Sequence, residues 1–214
     1  MKITRMISNN KNHYTGVNKC KYITIHETGN KNRGANALNH AKYINNGSSA
    51  TWHYTVDDKQ VIQHFNDNVQ CWHSGDGRGD GNLNSIGIEM CVNNDGDFNK
   101  TITNTIELIQ YLMNKHNIPI TNVVQHNKWS GKNCPSNIRS GKPITWNTFI
   151  DRIKNVDSVD KLYRVQVGAF KNKTNAINLS NELKKKGYNN FIVDKVVDKL
   201  YRIQVGAFKN KTNA

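Results

Sequence analysis

A chain of 214 residues has room for one medium domain and one small one. Lys and Arg total 30 against 16 Asp and Glu, a net charge of +14, and residues 151–214 hold 14 of the basic and 6 of the acidic residues. This balance suits anionic partners such as cell-wall polymers, and a solvated Lys-rich face accounts for it about as well. No stretch approaches the roughly 20 apolar residues of a membrane span. The opening MKITRMISNNKNHYTG lacks the apolar core of about 7–15 residues that defines a signal peptide. The expectation is a protein held in the cytoplasm until it is released to its site of action. Cys20, Cys71, Cys91 and Cys134 show no tight pair spacing, so free thiols are expected in a reducing compartment.

Residues 22–27 read as a strand, because Ile23-Thr24-Ile25 is an alternating β-branched run leading to His26. Residues 35–45 carry Leu38, Ala41 and Ile44 at helical spacing. Residues 52–57 and 60–64 read as a hairpin around Asp58-Lys59. Residues 66–84, dense in Gly, Asp and Asn, read as a long functional or mobile loop. Residues 85–92 form the next predicted strand. Ile102, Ile106, Ile109 and Leu112 mark one face of an amphipathic helix ending near His116, and Pro119 forbids its continuation. A second β-branched run, Val123-Val124, leads to His126. Thr145 reads as the N-cap of a helix from Trp146 to about Lys154. This mixture predicts an α/β layered domain over residues 1–155, followed by a polar linker, VDSVD, at 156–160.

Three residues of zinc-ligand type stand apart: His26, His126 and Cys134. The cysteine sits on a Gly/Pro-punctuated loop, in VVQHNKWSGKNCP. Three protein ligands leave a fourth position for water, the arrangement of a catalytic site and not of a structural one. Any one of these residues alone is more often a satisfied histidine or a small buried thiol.

The surrounding words change that balance. ITIHET, ANALNHAKYI, ATWHYTVDDKQVIQHF, QCWHSG, SIGIEM and VVQHNKWSGKNCP follow one another through most of residues 20–153. In that order they resemble the type-2 N-acetylmuramoyl-L-alanine amidases, a family that includes phage lytic amidases and peptidoglycan recognition proteins. The resemblance implies a mixed central sheet with helices on both faces and a zinc ion (Zn2+) in a surface groove, held by His26, His126 and Cys134. It implies cleavage of the amide between N-acetylmuramic acid and L-alanine in bacterial peptidoglycan. Glu89 lies where the glutamate-bearing branch places its acid/base, and alternation puts it on the strand face opposite Ile88 and Met90. Other members use a tyrosine just before the His of the hairpin strand. Here that position is Trp52, which cannot act as an acid. Lys132 matches an oxyanion-stabilising lysine. Trp72 and His73 match a groove-lining, substrate-binding pair. His53 is expected to pack or hydrogen-bond beneath the site. Glu27, His13, His40, His64 and His116 receive no role.

The tail carries an internal repeat. LYRVQVGAFKNKTNA at 162–176 recurs as LYRIQVGAFKNKTNA at 200–214, a period of 38 residues. The pattern resembles the sporulation-related repeat (SPOR) domain, which implies a small, partial α+β ferredoxin-like module over 161–214 that binds peptidoglycan glycan chains. The second copy stops at Ala214, before its helix and last strand. The first strand, near Tyr163–Phe170, is then expected to offer an open edge to a second copy of the chain, giving a homodimer. The overall expectation is a zinc amidase of phage endolysin type. A cell-encoded autolysin and a catalytically silent wall receptor are the alternatives. A nucleic-acid partner is rejected, because VQVGAF lacks the stacking aromatics of RNA-recognition strands.

Overall fold

β-branched alternation builds the centre of the molecule. In the computed structural model, which describes residues 2–159, 163–188, 190–195 and 200–208, the chain divides into two units, Met1–Lys154 and Asn155–Ala214. The strands of the first unit are β1 (Ile3–Arg5), β2 (His13–Val17), β3 (Tyr22–Glu27), β4 (Tyr54–Val56), β5 (Val61–Gln63), β6 (Val69–Cys71), β7 (Ser85–Met90) and β8 (Val123–Gln125). Its helices are α1 (Ala37–Asn45), α2 (Asp80–Leu83), α3 (Phe98–His116), α4 (Asn127–Ser130) and α5 (Ser136–Arg139), and α6 (Trp146–Val159) begins in it. Six strands form one mixed sheet in the order β1-β5-β4-β7-β3-β8, while β2 pairs with β6. β3 runs parallel to β7 and β8, β4 runs parallel to β7, and β4 and β5 form the antiparallel hairpin expected around Asp58-Lys59.

Helices cover both faces. On one side α1 lays Ala37 and Ala41 against Ile62 and Cys91. The inward stripe is Ala37, Ala41 and Ile44, and Leu38 is 37% exposed, which corrects the predicted face. Two alanines let the helix approach the sheet closely, and that sets its rotation. Asp57 fixes the contact further. Its carboxylate accepts from Ala37 N and from Lys59 N and Gln60 N, joining the hairpin turn to the start of α1. On the opposite side α3 buries Ile102, Ile106, Leu108, Ile109 and Leu112. Ile23, Ile25, Ile86 and Ile88 are fully buried, each contributing about 1.5–3 kcal/mol by transfer from water.

Several segments differ from the sequence expectations. The N-terminal residues supply two strands, because β1 adds to the free edge of β5 and β2 finds β6. The predicted loop 66–84 contains β6 and α2. Its own side chains order it: Asn82 Oδ1 accepts from His73 N and Ser74 N, and Asp76 accepts from Gly81 N and Asn82 N. α6 runs on to Val159, across most of the segment read as a linker.

The second unit contains β9 (Tyr163–Phe170), α7 (Lys173–Lys185), β10 (Asn190–Lys195) and β11 (Leu200–Phe208). The strands pair antiparallel in the order β10-β11-β9. Asn172 caps α7 by accepting from Thr174 N. A Cβ on Gly168 would come within 2.7 Å of the Phe170 ring and 3.1 Å of Leu179, so the glycine of the first VQVGAF permits close packing. The helix start expected after the second VQVGAF lies outside the described residues.

One buried carboxylate ties α3 to the sheet. Asp67 accepts from Tyr54 Oη at 2.5 Å, Lys115 Nζ at 2.7 Å, His116 Nε2 at 2.8 Å and Gln63 Nε2 at 3.2 Å. Burial alone would raise its pKa, but the hydrogen bonds from Lys115, Tyr54 and His116 outweigh burial and hold it below 3.8. The folded value is depressed, so the stabilisation is present above the ordinary carboxylate range and fades as pH falls through the folded value. Asp67→Ala is expected to cost about 3 kcal/mol in urea unfolding at neutral pH, because it strands buried partners. That deficit should shrink on acidification, as the wild type loses the same interaction.

Candidate active site

The parallel register delivers the site. His26 on β3 pairs with Glu89 on β7, and Glu89 pairs with Thr55 on β4. The three form one row across the sheet and point to one face. His126 follows β8, and its N–H donates to the Ile25 carbonyl at 3.1 Å, so the second histidine lands beside the first. Cys134 belongs to no strand. Its loop is closed by Asn127, whose N–H donates to the Cys134 carbonyl and whose side-chain amide donates to the carbonyls of Gly131 and Lys132. Gly131, at φ 73°, takes the left-handed conformation that the turn requires. The thiol then accepts from Glu27 N at 3.5 Å.

His26 Nδ1 lies 2.9 Å from His126 Nδ1 and 3.8 Å from Glu89 Oε1. The ligand atoms of His26, His126 and Cys134 all lie within 4.8 Å of one another. The partners of the outer nitrogens set the tautomers. His126 Nε2 is 2.9 Å from the Ser74 carbonyl, so it donates there and leaves Nδ1 a lone pair. His26 Nε2 lies 3.0 Å from His73 Nδ1. The two Nδ1 atoms, 2.9 Å apart, would repel through their lone pairs unless a proton or a cation lies between them. Two imidazoles and a thiol form a donor set suited to zinc, and a single ion with bonds of about 2.0–2.3 Å can satisfy all three. The residues present fit the ion.

The electrostatics agree. Burial, and then neighbouring imidazoles and Lys132, hold His26 well below its ordinary value, and burial with Lys132 also lowers His126. Both are therefore neutral, the form that binds metal. Burial pushes the Cys134 thiol up to about 12, with Glu89 adding to the effect. Burial pushes the Glu89 carboxyl up to about 8, against the pull of Lys132. A dication at the three ligands would reverse both shifts and deprotonate the thiol.

Two clefts flank these residues. One, of about 490 Å³, has Glu89 in its wall together with Trp52 and residues of α1. The other, of about 500 Å³, is lined by Trp72, His73, His126 and Lys132. Trp72 is 39% exposed, as a groove wall requires, whereas His73 is 8% exposed and stands against His26. The close approach of His73 depends on Gly87, where a Cβ would lie 2.8 Å from the imidazole. Trp52 turns its indole N–H onto Thr55 Oγ1, away from any catalytic use. His53 Nδ1 accepts from Gly87 N and its Nε2 donates to the Val69 carbonyl, joining β6 to β7 beneath the site.

Residues 16–137 match the family model described as N-acetylmuramoyl-L-alanine amidase. The chain belongs to this amidase family. Residues 159–214 match the SPOR domain. The chain is 46% identical over 142 residues to the N-acetylmuramoyl-L-alanine amidase CwlH of Bacillus subtilis (strain 168), covering 65% of this chain and 55% of that protein. It is 50% identical over 129 residues to XlyA of the same organism, covering 60% of this chain and 42% of that protein. It thus spans about half the length of these curated relatives. Among solved structures, the catalytic domain of XlyA superimposes with a TM-score of 0.67 at 44% identity, covering 72% of this chain and 99% of that domain. PlyL superimposes with a TM-score of 0.65 at 35% identity, covering 72% of this chain and 97% of PlyL.

Glu27 and Ser74, for which no local pattern predicts a role, both support the site. The Glu27 carboxylate accepts from Asn137 N at 2.9 Å, Ile138 N at 3.2 Å and Ser136 Oγ at 3.2 Å. It anchors the start of α5, immediately after the Cys134 loop. These partners lie more than 100 positions away in the chain, so no local spacing signals them. Glu27→Ala is expected to lower stability by about 2 kcal/mol, because it leaves buried backbone donors unpaired. In the same variant, Cys134 should react faster with a thiol reagent. Unchanged labelling would show that the loop holds without this anchor.

Proposed function

We propose that the protein is a zinc-dependent N-acetylmuramoyl-L-alanine amidase that cleaves the amide between N-acetylmuramic acid and L-alanine in peptidoglycan. The convergence of His26, His126 and Cys134 with Glu89 on one sheet face carries this reading. Zinc, when bound, would activate a water and polarise the scissile carbonyl. Glu89 accepts the proton of the attacking water as its oxygen bonds to the carbonyl carbon. It then delivers that proton to the alanine nitrogen as the C–N bond breaks, so protons and electron pairs balance within the site. Glu89 Oε1 lies 3.8 Å from His26 Nδ1, close enough to the ligand set to exchange a proton with a water held there. Lys132 supplies positive charge to the developing oxyanion. Its field reaches His26, His126, Glu89 and Cys134, which supports that placement. His73 and Ser74 hold the two histidines in their ligating tautomers.

We assign the C-terminal module, residues 161–214, to holding the enzyme on glycan chains or anionic wall polymers, on the strength of the SPOR match and the basic tail. A phage endolysin is the favoured biological setting. A solved relative with 44% identity is described as an endolysin from Bacillus subtilis. A cell-encoded autolysin is the second reading. Among the described residues, no helix is long and apolar enough to cross a membrane.

Metal analysis should find one zinc per chain, and exhaustive chelation should abolish wall lysis until zinc is restored. Cys134→Ser should lose most of the metal, while Cys134→Asp should keep part of it through an oxygen ligand. Full lysis by a metal-free preparation would defeat the proposal.

Glu89→Gln should retain fold and zinc but lose roughly 10²–10⁴ in turnover on purified wall. Lys132→Ala should lose less, on the order of 10–10². Near-native release of amino groups by the Glu89 variant would remove it from the mechanism.

A further inference from the structure

The fold holds the three metal ligands in different ways. His26 lies on β3 and His126 directly follows β8, so the pairing of these strands sets the separation of the two histidines. Cys134 lies on the loop between α4 and α5, and its distance from the histidines needs another constraint. The one-turn helix α5 supplies it, because it is bonded to the chain neighbour of every ligand. Glu27, which follows His26, accepts from Asn137 N and Ile138 N. Gln125, which precedes His126, accepts through Oε1 from Arg139 Nη1 at 2.7 Å. Asn133, which precedes Cys134, accepts through Oδ1 from Arg139 Nε at 2.9 Å.

Arginine suits the last two bonds. Its planar guanidinium carries the Nε and Nη donors in a fixed fork, so two acceptors that meet it are held at a fixed separation. An ammonium on a flexible stem imposes no such geometry. Asn127 binds the Cys134 loop to itself, through the carbonyls of Gly131, Lys132 and Cys134, whereas Arg139 binds that loop to β8. Arg139 is exposed, so the hydrophobic core does not depend on it.

A metal held by three side chains leaves by losing them in turn, beginning with the ligand on the least constrained segment. Here that ligand is Cys134. If its loop stays closed, a thiolate that lets go returns to the ion before the ion escapes. We propose that Arg139 is a positioning residue that clamps the Cys134 loop to β8, so that the ligand set is formed in advance and zinc is retained. The inference rests on the zinc reading of the site and not on the amide chemistry. Charge alone predicts the opposite sign. A guanidinium near a dication repels it, so its removal would slow zinc release. Loss of the clamp speeds release.

The test uses the full chain loaded with zinc, with release followed by an excess of a chromogenic chelator. The same chain loaded with cobalt reports the Cys134 bond through its thiolate-to-metal absorption. Arg139→Met, which keeps the stem and removes the fork, should release zinc about tenfold faster and weaken the cobalt–thiolate band. Arg139→Lys, which keeps the charge without the fork, should release zinc as fast as Arg139→Met. Gln125→Ala and Asn133→Ala should each speed release, and combining either with Arg139→Met should add little, because the shared bond is already gone. The urea midpoint of the metal-free chain should barely move. Should Arg139→Met fold poorly, the Gln125 and Asn133 variants still give the answer. Unchanged or slower release in Arg139→Met, wild-type retention by Arg139→Lys, or faster release matched by an equal loss of stability in the metal-free chain would each overturn the clamp. A wild type that takes up neither metal would remove the zinc reading and the clamp with it. A chain whose variants lose zinc as described, yet whose wild type cleaves no wall, would sink the amidase proposal alone.

Discussion

The parallel pairing of β3 with β7 and β8 is the constraint on which the rest of the molecule depends. It brings the C-terminal ends of three strands to the same edge, and His26, Glu89 and His126 all sit at those ends. Side chains alternate with a period of two, so a slip of one residue in β7 would turn Glu89 into the core and Ile88 toward the metal ligands. The register is pinned from the opposite face, where Ile25, Ile88 and Tyr54 are all buried. The hydrophobic core therefore specifies the active site indirectly, by leaving the polar row no other face to occupy.

The strands position only part of the site. Cys134 reaches the histidines through a loop that the side chains of Asn127 and Glu27 hold closed, and the histidines are oriented by Ser74 and His73 on the segment between β6 and α2. The supporting groups come from every part of the first unit. Apart from Glu27, which ends β3, they lie outside the strands, and most of their hydrogen bonds join residues remote in sequence. Gly87 is the meeting point. Its missing side chain admits the His73 ring, and its N–H holds His53 beneath.

Two different walls flank the ligands. The Glu89 side is walled by α1 together with Trp52, while the Lys132 side is walled by Tyr14, Trp72 and Ser130. The rotation of α1 produces this difference. With Ala37, Ala41 and Ile44 turned inward, His40 and Tyr43 face the cleft and not the core.

The sequence by itself determined a good deal. Alternating β-branched runs located β3 and β7, the Ile/Leu stripe located α3, and the Asp58-Lys59 turn located the hairpin, because these elements answer to periods of two and 3.6 that a short window contains. The metal-ligand types and the ordered motifs around them identified the family before any geometry was known. Tertiary structure alone decided the strand order and the pairing of β1 and β2. It alone decided the anchoring role of Glu27 and the placement of His73 against His26. These features arise from contacts between residues separated by tens to more than a hundred positions. No local pattern encodes them, since a short edge strand or a buried carboxylate takes its meaning from the partner that the fold brings to it.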